Sequence, residues 1–273
     1  MAFENDDSAA DVVEDVSDSK ALDVVARFGF AVLAVVHVLI GIIALQIAFG
    51  GKGEADPGGA LKQLAMGTAG PWTMWACAVG CLGLALWQLS EATLRARHLP
   101  AARRIFKTVS SGSLSVIYGT MAWTFSQFAL GGGRDSSEST RDFTVALMQS
   151  PFGVLMVVSV GGTVLGIGIY FMVKGVRRKF RPELRRFADR RRGALVDTLG
   201  VVGHVAKGIS LALVGVLFII AAITSSPRES TGLDGSLKAL QEHPFGVFVL
   251  IAIALGLICY GAFALIRAKF GRM

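Results

Sequence analysis

Residues 243–268 read HPFGVFVLIAIALGLICYGAFALIRA, and after His243 they hold no charged side chain until Arg267. A run of this length and polarity crosses the roughly 30 Å hydrocarbon core of a bilayer. It has to do so as a helix, because lipid offers no partner to a free backbone N–H or C=O. Its opening recurs twice upstream, as SPFGVL at 150–155 and AGPWTM at 69–74, each time before another apolar run. Self-similarity at this spacing is the mark of a repeat protein.

Working outward, six apolar stretches emerge: Val24–Phe49, Trp72–Leu94, Ile105–Leu130, Phe152–Val176, Val196–Ile223 and Phe245–Ala268. The whole chain of 273 residues is 53% apolar, only 17% charged, with a mean hydropathy of +0.58. Soluble domains carry about a quarter charged residues. Disordered, disulfide-stapled and ordinary soluble chains are therefore excluded, and the expected fold class is all-α: a polytopic membrane protein with six transmembrane helices. Residues 1–22 are acidic (Glu4, Asp6, Asp7, Asp11, Glu14, Asp15, Asp18) and read as a disordered tail, with an acidic docking arm as the alternative.

The six spans form three tandem two-helix repeats, at 23–98, 99–181 and 196–273, with a basic connection at 182–195. Odd spans align on Gly41, Gly119 and Gly215, with Ala34, Gly112 and Gly208 seven residues earlier. Even spans align on Gly70, Gly153 and Gly246, followed by Gly80, Thr163 and Gly256, then Gly83, Gly166 and Cys259. Small residues two turns apart share one helix face and let backbones approach in lipid. Three copies of one orientation imply a pseudo-threefold axis along the membrane normal, unlike the inverted repeats of many transporters. The prolines of the three openings are expected in first helical turns. Trp72, Phe152 and Phe245 form an expected interfacial belt. Before each opening, GALKQLA, DFTVALMQ and GSLKALQ read as short helices at the outer interface, or more sharply as lids.

The run ARFGFAVLAVVHVLIGIIAL, then GALKQLA and AVGCLGLALWQLSEA, resembles the bacterial membrane family named domain of unknown function 1206, over roughly Leu22–Phe270. The resemblance implies three two-span units, in genomes of actinobacterial type, and no assigned reaction. His37 stands where members often have tyrosine, and Ala34 where they often have glycine.

A net charge of +7 could signal nucleic acid. Its placement favours the membrane. Basic residues collect at 95–107, at 174–192 and after Arg267, whereas the intervening connections are near neutral. Lys and Arg stay on the cytoplasmic side, so both termini are expected in the cytoplasm of a plasma-membrane protein. Arg177, Arg178, Lys179, Arg181, Arg185, Arg186, Arg190, Arg191 and Arg192 form a surface patch for the anionic inner leaflet, and no nucleic-acid partner is expected. Phe180, Leu184 and Phe187 recur at helical spacing, which predicts a short amphipathic helix lying on that leaflet.

Charges inside spans are costly, and each marks a candidate site. Glu91, Lys174 and Arg267 share one repeat position near the inner ends of the even spans, and Lys207 lies deeper. These four form an expected intramembrane charge cluster, with Lys207–Glu91 as its expected pair. It reads either as a clasp that fixes the helices or as an ion gate. His37 and His204 sit at depths too different for bis-histidine haem, and Cys77, Cys81 and Cys259 lack metal or redox spacing. No cofactor and no catalytic constellation are expected. Ser110, Ser111, Ser113 and Ser115 make the third span the most polar, either through interhelical hydrogen bonds or beside a hydrated path. The expected function is a non-enzymatic accessory or scaffold subunit of a cell-envelope complex, with other membrane proteins as partners. The alternatives are a small-solute or ion transporter through the polar centre, then a lipid-acting enzyme.

Overall fold

The structure, a computed structural model, describes residues 20–67, 70–98, 100–133, 136–184, 189–226 and 232–271. The acidic tail before Lys20, together with Arg185, Arg186 and Phe187, lies outside the described residues. Among the described residues the chain is all-α: α1 (Lys20–Ala48), α2 (Pro57–Ala65), α3 (Gly70–Thr93), α4 (Ala101–Ala129), α5 (Ser136–Met148), α6 (Gly153–Val176), α7 (Arg190–Ile223), α8 (Gly232–Gln241) and α9 (Gly246–Phe270). Among the described residues five helices (α1, α3, α6, α7 and α9) are long and apolar enough to cross a membrane, as a multi-pass membrane protein requires. The fourth helix, α4, has the length at 29 residues, but its serines and threonines dilute its apolar character.

The short helices α2, α5 and α8 stand where the periodic runs placed them. They bury the same repeat position, Leu61, Thr144 and Leu237. Each leads into a turn in which the glycine N–H (Gly70, Gly153, Gly246) donates to the carbonyl three residues back, at 2.8–2.9 Å. In copies two and three the prolines do not sit in the first helical turn as expected. They precede an N-cap phenylalanine with left-handed backbone, Phe152 at φ 68° and Phe245 at φ 63°. A phenylalanine there costs about 1–3 kcal/mol, so the turn is held from outside. The holding contact is visible at the next residue. A Cβ on Gly153 would lie 2.5 Å from the Leu147 carbonyl oxygen, and one on Gly246 would collide with that of Leu240. The end of the short helix therefore presses on the turn, and the rings swing outward: Trp72, Phe152 and Phe245 are 81%, 79% and 79% exposed.

The chain forms two compact units that cut across the copies. One comprises residues through Val32 and Gly67–Gly132, and the other Leu33–Met66 and Gly133–Arg272. In the first unit α3 packs along α4. Ser115 Oγ donates to Ala85 O at 2.8 Å and Thr108 Oγ1 to Ala92 O at 2.9 Å. Gly29 of α1 meets Gly80 and Leu84, and Phe30 meets Trp87 edge-on at 6.1 Å.

In the second unit α6 packs along α7, and α7 along α9. Gly161 faces Gly215, and Gly168 faces Gly208, so closely that added Cβ atoms would lie 2.6–2.9 Å from backbone. The second part of α1 meets α9 through the same repeat positions: Gly41 against Ala254, and Gly261 against the Ala34 carbonyl. The small-residue strip of the odd spans thus works as read in copies one and three. It departs in copy two. Gly112 and Gly119 have nothing within 4 Å of a built Cβ, and α4 buries Ser111, Ala122 and Phe125 instead. Ser115 and Thr108 hold α4 by hydroxyl bonds, which turns a different face toward α3.

This contrast makes one substitution act with two signs. Gly215→Ala puts a Cβ 2.6 Å from Leu165 N and is expected to cost about 1–3 kcal/mol by overpacking. Gly119→Ala, at the equivalent position, meets open space and is expected to gain up to about 1 kcal/mol from helix propensity. Thermal unfolding of both variants in mild detergent, followed by circular dichroism, checks the opposite signs.

Candidate functional site

The connection after α6 is built to bring an acid back to two bases. Arg178 takes a left-handed conformation at φ 51°, Lys179 N donates to Lys174 O at 2.9 Å, and the chain reverses. Pro182 then fixes a single 3-10 turn, Arg181–Glu183. Phe180, ahead of it, is fully buried against Gly200 of α7, where any Cβ would strike its ring. Leu184, after it, is buried with Val196 and Phe263 and bridges to Gly271. Phe180 and Leu184 are therefore protein core. This corrects the expectation of an amphipathic helix on the leaflet: glycine at 200 leaves a hole that the phenylalanine fills.

With its neighbours pinned, Glu183 reaches Lys174 Nζ at 2.6 Å and Arg267 Nη1 at 2.9 Å. Lys174 closes α6 and Arg267 lies in the last turn of α9. So two members of the expected cluster do meet, through an acid that is not one of the expected four. Burial pushes the Glu183 carboxyl up, but the Arg267 guanidinium and Lys174 ammonium outweigh it and hold it below the ordinary carboxylate value. A signal existed: Glu183 is an acid among ten basic residues, flanked at −3 and +1 by large apolar side chains.

Glu91 and Lys207 fall in different compact units, and each has another partner. Glu91 takes Lys107 of α4 at 2.5 Å. Lys207 donates to Tyr260 Oη at 3.1 Å, with its ammonium over the rings of Tyr260 and Phe171 at 4.3 and 4.8 Å. Two histidines extend this row. His37 Nδ1 donates to Leu33 O at 2.7 Å, and its ring centre lies 4.7 Å from that of Tyr260. His204 Nδ1 donates to Gly200 O at 2.7 Å. Its ring stacks on Phe180 at 5.1 Å and meets Tyr260 and Phe263 edge-on. Among the described residues no three His, Cys, Asp or Glu side chains gather to hold a metal ion.

Arg177, Arg178, Lys179, Arg181, Arg190, Arg191 and Arg192 are all exposed, as a surface patch needs. Arg181 is partly spent: its guanidinium grips Asp197, with Nε at 2.7 Å. Asp189 caps α7 through Arg191 N.

Three segments, residues 28–95, 110–178 and 202–271, match the model of the Domain of Unknown Function family DUF1206, one per two-helix unit. The chain belongs to the DUF1206 family. The uncharacterised protein YxxB of Bacillus subtilis (strain 168) is 26% identical over 249 residues, covering 90% of each chain. No solved structure matches this DUF1206 protein.

Removing the shared acid tests the network. Glu183→Gln leaves two bases facing a neutral amide and is expected to cost about 2 kcal/mol, the worth of hydrogen bonds between charged groups. The pH sign follows from the depressed carboxyl. Its stabilisation is full above the unfolded carboxylate value of about 4.3 and fades as pH falls through the lower folded value. Melting temperatures from pH 7 to pH 3 should therefore show the wild type losing its advantage over Glu183→Gln at the acid end.

Proposed function

We propose that this DUF1206 protein is a non-enzymatic accessory or scaffold subunit of a cell-envelope complex, spanning the plasma membrane six times in three pseudo-threefold units. Both termini face the cytoplasm. Parity supports the sixth span. The basic segments 95–107 and 177–192 and the end after Arg267 fall on one side only if α4 crosses. The polar side chains of α4 do not bar it, since Thr120, Thr124 and Ser126 bond to carbonyls of their own helix.

The observation that carries the scaffold reading is the outer face of α6. Ser159 and Thr163 are exposed, with hydroxyls closed onto Leu155 O and Ser159 O. Gly162 and Gly166 beside them have nothing within 4 Å of a built Cβ. The result is a shallow groove with no unmet polar group, a shape that admits a neighbouring helix in lipid. The charges of the inner end are meanwhile engaged with one another, as a clasp requires. A photo-cross-linking residue at Val158 in the native membrane should give an adduct with a discrete second protein. Gly162→Leu together with Gly166→Leu should remove that adduct at unchanged expression. Lipid adducts alone, in both forms, would overturn the reading.

A transport reading has one specific observation behind it. Lys207, Tyr260 and His37 place titratable groups inside the spans of the second unit, and Lys207 has a hydroxyl and two rings for company rather than a carboxylate. Ion flux in proteoliposomes that disappears in Lys207→Met would favour transport over the scaffold.

A further inference from the structure

At the end of the second unit away from Glu183, an open cleft of about 830 Å³ lies where α1 ends. It falls in the range of small-ligand sites, about 300–1,000 Å³. Ile43 and Ile47 of α1 form its floor, and residues 51–54, α2 and α8 its walls. Lys62 and Lys238 both line it. They hold the same repeat position, eight residues before the glycine that opens the next span, and copy two has Val145 there. So the cleft forms between equivalent short helices of copies one and three.

Both lysines are held in place. Lys62 Nζ donates to both Glu54 oxygens at 2.7 Å. Lys238 Nζ donates to Asp234 Oδ2 at 2.6 Å, while Asp234 Oδ1 accepts Ala55 N–H at 2.8 Å and ties α8 to the loop. Gln241 Nε2 donates to Ile47 O and fastens α8 to the end of α1. Each of these ammoniums is balanced by its own carboxylate, and Lys238 keeps donors beyond that one bond. Lys52 and Glu242 are different. Both line the cleft, both are exposed, and neither has an ionic partner among the described residues. The cleft thus offers one uncommitted cation and one uncommitted anion over an apolar floor.

We propose that this cleft binds a zwitterion bearing a primary ammonium and a phosphate or carboxylate. Lys52, assisted by Lys238, takes the anionic group, and Glu242 takes the ammonium. The end of a membrane-crossing helix sets the cleft at headgroup depth, so a phosphatidylethanolamine headgroup and free phosphoethanolamine share the required chemistry. The proposal does not depend on the scaffold reading.

The test uses the full chain. Lipid retained on the purified protein is measured by native mass spectrometry from mixed phosphatidylethanolamine and phosphatidylglycerol nanodiscs, and free phosphoethanolamine is titrated by calorimetry. Retention of phosphatidylethanolamine about tenfold over phosphatidylglycerol, the equivalent of one charged hydrogen bond, supports the site with lipid as its source. Heat on titration supports it with the free solute as its source. Glu242→Lys should invert the lipid preference and Lys52→Glu should abolish it, and both exposed changes should leave the melting temperature in place. Equal retention of the two lipids without titration heat, or a preference that both variants leave untouched, overturns the proposal.

Discussion

Close approach of helix backbones is the constraint on which the second unit rests. In lipid there is no hydrophobic gain from bringing one apolar helix to another, so helices stay together through contact area and the few polar bonds they share. Glycine supplies the contact here. Gly161 with Gly215 and Gly168 with Gly208 join α6 to α7. Ala254 with Gly41 and Gly261 with Ala34 repeat the same junction between α9 and α1. Both junctions link the even span of one copy to the odd span of the next. The repeat written in the sequence is therefore not the packing unit, which is why the compact units divide α1 and cut across the copies.

The ion pairs around Glu183 in the second unit follow from the same geometry. Once α6 and α9 both pack on α7, Lys174 and Arg267 are delivered to one level, and two like charges there would repel. Glu183 resolves the conflict because Phe180, seated at Gly200, leaves its turn no other course. Glu183, Lys174 and Arg267 are mostly buried, so this shared carboxylate is worth more than an exposed surface pair. As a link between helix ends of fixed position it resists their separation.

Much of the fold was legible in residues alone: helix periods, the three copies, the short helices and, in copies one and three, the small-residue strip of the odd spans. These come from local pattern, and local pattern survives folding. The failures share one cause, the assumption that aligned positions have equivalent surroundings. Gly112 and Gly119 align with Gly208 and Gly215, yet Ser115 and Thr108 turn α4 onto another face. Glu91 aligns with Lys174 and Arg267, yet Lys107 is within reach on the adjoining helix. Phe180 and Leu184 have the spacing of an amphipathic helix, yet a hole at Gly200 draws them into the core. Each outcome turns on one non-local neighbour, which no alignment of the copies displays.

The chemistry sits where the copies disagree. The positions of Lys207, His204, Tyr260 and His37 are occupied in the other copies by Leu33 and Ser111, Phe30 and Thr108, Leu84 and Ile167, and Ser115 and Leu211. None of the eight titrates in the physiological range. The row around Lys207 is therefore not one side chain repeated in three copies. Any proton or ion handled by the row around Lys207 would be handled by copies one and three alone, off any symmetric path. The pattern is the same at the far end, where Lys62 and Lys238 face one cleft and Val145 stands in the third copy. The three repeats supply the framework helices. Departures from the repeat gather polar groups in two places, the row around Lys207 and the cleft of Lys62 and Lys238.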